Sequence, residues 1–179
     1  YLSKFKHNPS KEFVYCYFGR LGYSKGLNLI LEASKKIKSK ITNSKLLLII
    51  PQKPKNFYNN ILYIIKKNKL DNHIIIKSNL QREELYKNLA KSSCIMIPSY
   101  SEGFCFTAVE SIGLGIPVIT SRKGALPEVV SGKNIFINLT SKSLEDALLK
   151  AYKNEWNINN IKRFSIEESI EKYLKIYII

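Results

Sequence analysis

Six short apolar runs recur along the chain and form its clearest pattern. Each run is nearly continuous in apolar character, whereas a strand with one solvent-exposed face alternates apolar with polar residues. Continuous apolar character is typical of strands that are buried on both faces, as in parallel sheets. The runs occupy residues 13–18, 45–50, 73–77, 94–98, 117–121 and 135–138.

Segments with helical spacing separate these runs. Between the first two runs, Leu27, Ile30 and Ile37 fall on one helical face, while several lysines fall outside it. Similar spacing recurs at 55–69, 82–91, 104–114 and 141–153. This alternation predicts an α/β fold, with a doubly wound parallel sheet of about six strands between two helical layers. Such sheets bind ligands in the crevice beyond the carboxyl ends of their strands.

Composition narrows the classes of protein that the chain can represent. The chain is 45% hydrophobic, but none of its apolar runs is longer than a buried strand, which predicts no transmembrane span. The first residues, YLSKFKHNPS, lack the order of a secretory signal peptide, so we expect a cytoplasmic protein. Cys16, Cys94 and Cys105 are odd in number and fit neither a disulfide framework nor a metal site. We interpret them as buried free thiols.

The net charge of +15 raises the question of an anionic partner. Of the 29 basic residues only four are Arg, and the readers of nucleic-acid bases rely on Arg. The sequence also contains no nucleic-acid motif, so we expect no nucleic-acid partner. A solvated basic surface is the simpler interpretation. Peripheral contact with an anionic membrane surface, for which clustered Lys is sufficient, is the alternative.

The loop after the first predicted strand reads GRLGYSKG and spans residues 19–26. Gly19 and Gly22 allow a tight turn, while Arg20 and Lys25 bring two cations to the start of the following helix. Two cations beside helix amides suit a polyanion. The loop matches neither the dinucleotide fingerprint nor the P-loop. Glycines that serve the turn alone, with solvated cations, remain the alternative.

The loop after the fourth predicted strand carries two glutamates. We predict a helix from about Phe104 to Leu114, which leaves Glu102 in the preceding loop and places Glu110 about two turns inside the helix. The two carboxylates are therefore not expected to share a proton. The first-turn amides at 104–106 are expected to be free to hold an anion. Glu110 would lie beside that anion, although a lone acid there fits a surface charge equally well.

These two loops together resemble a known family. The sequence IMIPSYSEGFCFTAVESIGLGIPVITSRKGALPEVV is similar to the donor-binding core of the retaining group 1 glycosyltransferases, family 4, which have the two-domain GT-B architecture. The mark of this core is a Glu, seven residues and a second Glu, here Glu102 and Glu110. The family's G-R-L-x-x-x-K-G motif matches Gly19 to Gly26. The resemblance covers roughly residues 13–155 and implies a Rossmann-like half of a GT-B fold.

The resemblance implies a role for each matching residue. Arg20 and Lys25 match the cations that neutralise the donor diphosphate, Glu102 matches the contact to the transferred sugar, and Glu110 matches the contact to the ribose. The loop around Leu80 occupies the place where backbone groups meet the base, which is a looser match. On this basis the predicted catalytic residues are Arg20, Lys25 and Glu102, and the predicted donor-binding residues are Gly19, Leu80, Gly103, Phe104, Cys105, Phe106 and Glu110.

The resemblance also implies a mechanism that needs no metal. Many glycosyltransferases of other folds hold a divalent metal on a D-x-D pair, but the only aspartates here are Asp71 and Asp146. Fixed cations and helix amides must then stabilise the leaving diphosphate, so we expect no cofactor. A retaining reaction would ordinarily use a carboxylate nucleophile. The family is thought instead to react on one face of the sugar, so we assign Glu102 to sugar recognition.

GT-B enzymes have two domains, and the resemblance covers only the second. We therefore expect residues 1–179 to form one donor-binding domain, with a helix over 165–179 that packs on a missing N-terminal acceptor domain. The expected acceptor is a glycan or a lipid-linked molecule used in cell-surface polysaccharide or lipopolysaccharide synthesis, and the expected location is the cytoplasm or the inner face of the cell membrane. The chain alone should bind the nucleotide but transfer nothing. A non-catalytic sugar-nucleotide binding module, or a GT-B epimerase or phosphorylase, is the alternative.

Overall fold

The computed structural model describes residues 1–177 of the chain, apart from the side chain of Ser3. Within this part the chain forms one seven-stranded sheet with the strand order β3-β2-β1-β4-β5-β6-β7. Each neighbouring pair from β3 to β6 is parallel, and only β7 runs antiparallel to its neighbour. The strands are β1 (Phe13–Phe18), β2 (Ser44–Ile49), β3 (Ile74–Lys77), β4 (Cys94–Ile97), β5 (Val118–Ser121), β6 (Gly132–Ile137) and β7 (Asn157–Asn159).

Helices cover both faces of the sheet. The helices are α1 (Leu27–Lys40), α2 (Lys55–Lys67), α3 (Arg82–Ala90), α4 (Phe106–Gly113), α5 (Leu126–Val129), α6 (Ser141–Tyr152) and α7 (Ile166–Tyr177). Residues of α1, α2 and α6 pack with one face of the sheet, and residues of α3, α4 and α5 pack with the other. The prediction of a doubly wound, three-layered α/β fold is therefore confirmed.

The position of β1 inside the sheet explains why its sequence is apolar throughout. Tyr15 and Tyr17 lie in the core between the sheet and α1, whereas Cys16 and Phe18 lie in the core on the opposite face. All four side chains are buried, because successive side chains in a strand point to opposite faces and both faces are covered. The same arrangement in β2 and β4 accounts for their continuous apolar runs.

The elements that the apolar pattern does not predict include strand β7, helix α5 and two short 3-10 helices, Leu2–Lys4 and Tyr23–Lys25. Strand β7 has the sequence NIN, is exposed along its length and forms the edge of the sheet beside β6. Its link to the sheet is polar, since the Asn134 Nδ2 atom donates to Asn159 Oδ1 at 2.7 Å. Helix α5 is only four residues long. The prediction of about six strands missed β7 because an exposed polar edge carries no hydrophobic signal.

The predicted helix over 165–179 is observed as α7 in its described part. The Ser165 Oγ atom caps it by accepting from the Glu168 amide at 3.1 Å, and none of its described residues is buried. Ile178 and Ile179, the end of the predicted apolar tail, lie outside the described residues. Packing of α7 on another domain stays a prediction. None of the helices within residues 1–177 has the length and apolar character needed to span a bilayer.

Candidate active site

The two predicted loops meet where the winding of the sheet reverses. Strands β1 and β4 are hydrogen-bonded neighbours, and Tyr15 pairs with Cys94 in their register. The following helices, α1 and α4, pass to opposite faces and leave a crevice at the carboxyl ends of the two strands. A cavity of about 310 Å³ occupies this crevice. Seven predicted residues line it, namely Arg20, Lys25, Glu102, Gly103, Phe104, Cys105 and Phe106.

A close approach of two backbones brings these loops into contact. Gly26 adopts a left-handed conformation with φ of 67°, and a Cβ at this position would lie 2.1 Å from the carbonyl oxygen of Pro98. Only glycine fits there, because it lacks that atom and tolerates positive φ. The Tyr100 amide also donates to the Ser24 carbonyl at 2.7 Å. The start of α1 is thereby held against the end of β4.

The contact places a cation and a carboxylate together. The Lys25 Nζ atom donates to Glu102 Oε1 at 2.8 Å, and the Ser99 hydroxyl donates to the same oxygen at 2.7 Å. Ser99 is buried, and its own carbonyl accepts from the Ser121 hydroxyl at 2.5 Å. The Lys25 and Glu102 side chains are only 17% and 11% exposed, so water screens their attraction less than it would at the surface.

A third loop, after β5, contacts the backbone of Glu102. The Ala125 amide donates to the Glu102 carbonyl at 3.1 Å. The neighbouring Gly124 has φ of 57°, and a Cβ there would lie 2.1 Å from the same oxygen. Sequence reasoning assigned no role to this loop. The only sequence signal in this loop is the glycine of GALPE, which follows a predicted strand. Such a glycine indicates a turn, but it does not show that the turn contacts Glu102.

Helix α4 begins two residues later than predicted. Cys105 adopts a left-handed conformation with φ of 68° and ψ of 72°, which an α-helix cannot include, so the first helical residue is Phe106. The first hydrogen bond of the helix runs from the Ala108 amide to the Cys105 carbonyl at 3.0 Å. The amides of Phe106 and Thr107, rather than those of 104–106, therefore form the open start of the helix beside the cavity. Glu110 lies about one turn inside α4, not two.

Two buried side chains shape the cavity without supplying charge. Burial raises the pKa of the Cys105 thiol to about 11, so this side chain is a neutral thiol at neutral pH and a poor nucleophile. The Tyr17 hydroxyl donates to the Arg20 carbonyl at 2.7 Å and fixes the turn that carries Arg20. Burial, followed by the nearby Glu102 charge, raises the pKa of Tyr17. Tyr17 was not among the predicted site residues because its strand pattern indicated only a core position.

The remaining predicted site residues, Gly19, Leu80 and Glu110, do not line the cavity. Gly19 is the turn residue after β1, and its amide donates to the Ile49 carbonyl at 3.2 Å. Leu80 is partly buried and packs against the core beneath α3 and α4. Glu110 is half-buried, and its Oε1 atom accepts from the Tyr86 hydroxyl at 2.9 Å. The two motif glutamates thus belong to separate hydrogen-bond networks and share no proton.

The site combines positive charge with open amides. Arg20 is exposed at the mouth of the cavity, Lys25 lies inside it, and the start of α4 faces it. Such an arrangement suits an anionic group, and Glu102 supplies an acceptor for hydroxyl groups. Among the described residues, no group of three or more His, Cys, Asp or Glu side chains could hold a metal ion.

Comparison with known proteins identifies the family. The model of the glycosyl transferases group 1 family matches residues 2–172, so the chain belongs to this family. The capsular polysaccharide biosynthesis glycosyltransferase CapM of Staphylococcus aureus is 32% identical over 126 residues, which cover 70% of this chain and 32% of CapM. The chain spans less than a third of the length of the first curated relatives that it matches.

Solved structures share the fold. The C-terminal domain of the group 1 glycosyl transferase LpcC from Francisella tularensis aligns with a TM-score of 0.71 and 22% identity, covering 81% of this chain and 77% of that domain. Anabaena HepE in complex with UDP-glucose aligns with a TM-score of 0.74 and 17% identity, covering 86% of this chain and 46% of HepE. The fold is therefore that of one Rossmann-like half of a GT-B glycosyltransferase.

Proposed function

We propose that this chain is the donor-binding part of a retaining, metal-independent glycosyltransferase. It binds a nucleoside diphosphate sugar, whose sugar is transferred to a glycan or lipid-linked acceptor in cell-surface polysaccharide or lipopolysaccharide synthesis. The observation that carries the proposal is the single cavity in which Arg20, Lys25, Glu102 and the start of α4 converge. Membership of the group 1 glycosyl transferases and the likeness to CapM support the same reaction class.

The diphosphate is assigned to the positive side of the cavity. Lys25 and Arg20 supply the cations, and the amides of Phe106 and Thr107 supply neutral donors at a helix start. HepE, which has the same fold, was solved in complex with UDP-glucose, and this agrees with a diphosphate donor. The backbone near Gly19 and Gly103 lets the donor approach closely, because neither residue carries a side chain.

The sugar is assigned to Glu102. Its carboxylate accepts from Ser99, and its backbone carbonyl accepts from the Ala125 amide, so the protein itself fixes its position. Lys25 occupies one of its oxygens. When the donor binds, Lys25 then serves both the diphosphate and Glu102, while the remaining acceptor sites of Glu102 receive sugar hydroxyl protons. Glu110 is assigned to the ribose hydroxyls and the Leu80 loop to the base.

The reaction itself proceeds on one face of the sugar. The bond from the anomeric carbon to the diphosphate oxygen breaks, and its electron pair leaves on the diphosphate. The acceptor oxygen bonds to the same face of that carbon, and its proton passes to the leaving phosphate oxygen, so the configuration is retained. The negative charge that develops is stabilised by Lys25, Arg20 and the helix amides. Removing one such group costs roughly 2–4 kcal/mol of transition-state stabilisation, by analogy with oxyanion holes.

The proposal is tested in the longer polypeptide that joins this chain to its acceptor domain. Incubation with a nucleoside diphosphate sugar and a lipid-linked acceptor is expected to give a product with the donor's anomeric configuration, read by NMR. This chain alone is expected to give no product. Donor binding without any product from the longer polypeptide would instead favour a non-catalytic sugar-nucleotide sensor. Conversion of the donor to an isomeric sugar in the absence of acceptor would favour an epimerase.

A further inference from the structure

A buried tyrosine on α3 contacts the second motif glutamate. The Tyr86 hydroxyl donates to Glu110 Oε1 at 2.9 Å, although the two residues are 24 positions apart and lie on different helices. Tyr86 is only 3% exposed, whereas Glu110 is half-buried on α4, the helix whose first residues line the cavity. The contact therefore joins a buried core residue to a carboxylate that stays partly exposed.

The ring of Tyr86 is itself held in place. Phe5 packs against it with ring centroids 5.5 Å apart, and Tyr1 meets it edge to face at 6.0 Å. Aromatic pairs at these distances and tilts attract each other beyond the burial of their surfaces. Because the ring cannot turn freely, the direction of its hydroxyl toward Glu110 is set by the N-terminal segment and the core.

We propose that Tyr86 is a positioning residue for the ribose of the donor. By occupying Oε1 of Glu110 it fixes the carboxylate in one rotamer and leaves Oε2 to accept from a ribose hydroxyl. This inference rests on the proposed function, because it assumes that a nucleotide lies against α4. It adds a residue from α3 to the site, which the motif alone does not contain.

The chemistry of the pair fits this role. Burial and the hydrogen bond to Glu110 both raise the pKa of Tyr86, so its hydroxyl remains a proton donor at neutral pH. An ionised carboxylate is only an acceptor and has two oxygens, so one oxygen bound to Tyr86 leaves the other available. A glutamate with no such anchor would have to lose its rotamer freedom each time the ribose bound.

The test compares a nucleoside diphosphate with its 2′,3′-dideoxy form by calorimetry on this chain, using UDP, GDP and ADP. The substitution Tyr86→Phe keeps the ring against Phe5 and removes only the hydroxyl. We expect it to weaken binding of the ribose form about three- to tenfold, which is the usual range for one hydrogen bond, and to leave the dideoxy form within about twofold. In a chain that carries Glu110→Ala, Tyr86→Phe should have no further effect on either ligand.

Tyr15→Phe provides the matched control. The Tyr15 hydroxyl is buried and lies 2.7 Å from His73 Nε2, outside the proposed site. This variant should lose thermal stability comparably while both affinities stay unchanged. Equal weakening of the two ligands by Tyr86→Phe, or no weakening of the ribose form, would overturn the inference alone. If the unsubstituted chain bound none of the three nucleotides, both the inference and the proposed function would fail.

Discussion

Lys25 Nζ lies 2.8 Å from Glu102 Oε1, and this ion pair joins two loops that are 77 residues apart in the chain. The cation assigned to the diphosphate and the carboxylate assigned to the sugar therefore contact each other directly. A carboxylate beside a diphosphate site repels the ligand, whereas the same carboxylate is needed by the sugar. The two parts of the donor should consequently respond in opposite directions to loss of the Glu102 charge.

Substitution of Glu102 by Gln tests this opposition. The amide keeps the size of the side chain but removes its charge, which frees Lys25 for the ligand. We expect the affinity for a nucleoside diphosphate without sugar to rise about two- to fivefold, since a like charge beside the ligand is lost. The affinity gained by adding the sugar should fall. Calorimetry with UDP and UDP-glucose, or the corresponding guanosine pair, measures both, and weaker binding of the bare diphosphate would contradict the assignment.

Removal of either proposed cation should slow transfer strongly. In the longer polypeptide, Lys25→Ala or Arg20→Ala is expected to lower turnover by about 30- to 1000-fold, which corresponds to the roughly 2–4 kcal/mol that such groups supply. Lys36→Ala is the charge-matched control, because Lys36 is exposed on the outer side of α1. Initial rates at saturating donor give the comparison. Near-normal turnover of both cation variants would refute their assignment.

Two glycines should be essential to the shape of the site. A Cβ at Gly26 or Gly124 would lie 2.1 Å from a backbone carbonyl oxygen, and both residues have positive φ. We expect Gly26→Ala or Gly124→Ala to lower the free energy of unfolding by at least about 2 kcal/mol. Gly22→Ala is the control, since its backbone is extended and a Cβ there meets nothing within 4 Å. Urea denaturation measures the free energy of unfolding of the three variants. Equal values would show that the close backbone contacts at Gly26 and Gly124 do not limit stability.

Folding stability should depend on pH through a histidine outside the site. Burial and the charges of Lys45 and Lys38 lower the pKa of His73 to about 4, well below the value near 6.5 of an unfolded chain. The unfolded state therefore binds more protons between these two values, and stability falls as the pH drops through this window. Between pH 7 and pH 5 the loss attributable to His73 is about 2 kcal/mol.

The substitution His73→Gln isolates this effect. A glutamine retains a polar partner for the Tyr15 hydroxyl, which lies 2.7 Å from His73 Nε2, but it cannot be protonated in this range. Urea denaturation at pH 7 and pH 5 should show a smaller loss of stability in the variant than in the unsubstituted chain. Identical losses in the two proteins would mean that the pH dependence arises elsewhere.

The parts of the fold that the sequence predicts are those with a local cause. Strand β1 is recognisable because both of its faces are buried, whereas the contact of Lys25 with Glu102 was not predicted, because it depends on β1 and β4 being neighbours in the sheet. Strand β7 is polar and exposed, so its pairing with β6 leaves no hydrophobic pattern. Its position is set by backbone pairing with β6 and by the side-chain contact between Asn134 and Asn159.

The finer features of the site depend on approaches between distant segments. Cys105 occupies a left-handed conformation, which is normally found at glycine or asparagine. Because a cysteine gives no indication of it, the late start of α4 could not be predicted. The Ala125 amide reaches the Glu102 carbonyl only because β5 lies beside β4. The sequence likewise indicates only that Tyr86 is a core residue of α3. Its contact with Glu110 arises because α3 and α4 pack on the same face of the sheet.

Calorimetric titration of this chain with UDP, GDP and ADP and with their sugars is the decisive measurement for the donor site. We predict that at least one nucleoside diphosphate binds with a stoichiometry of one. Lys25→Ala should abolish or strongly weaken this binding, and Lys36→Ala should leave it unchanged. Absence of binding to every member of the panel, or binding that is indifferent to Lys25, would contradict the assignment of the cavity as a donor site.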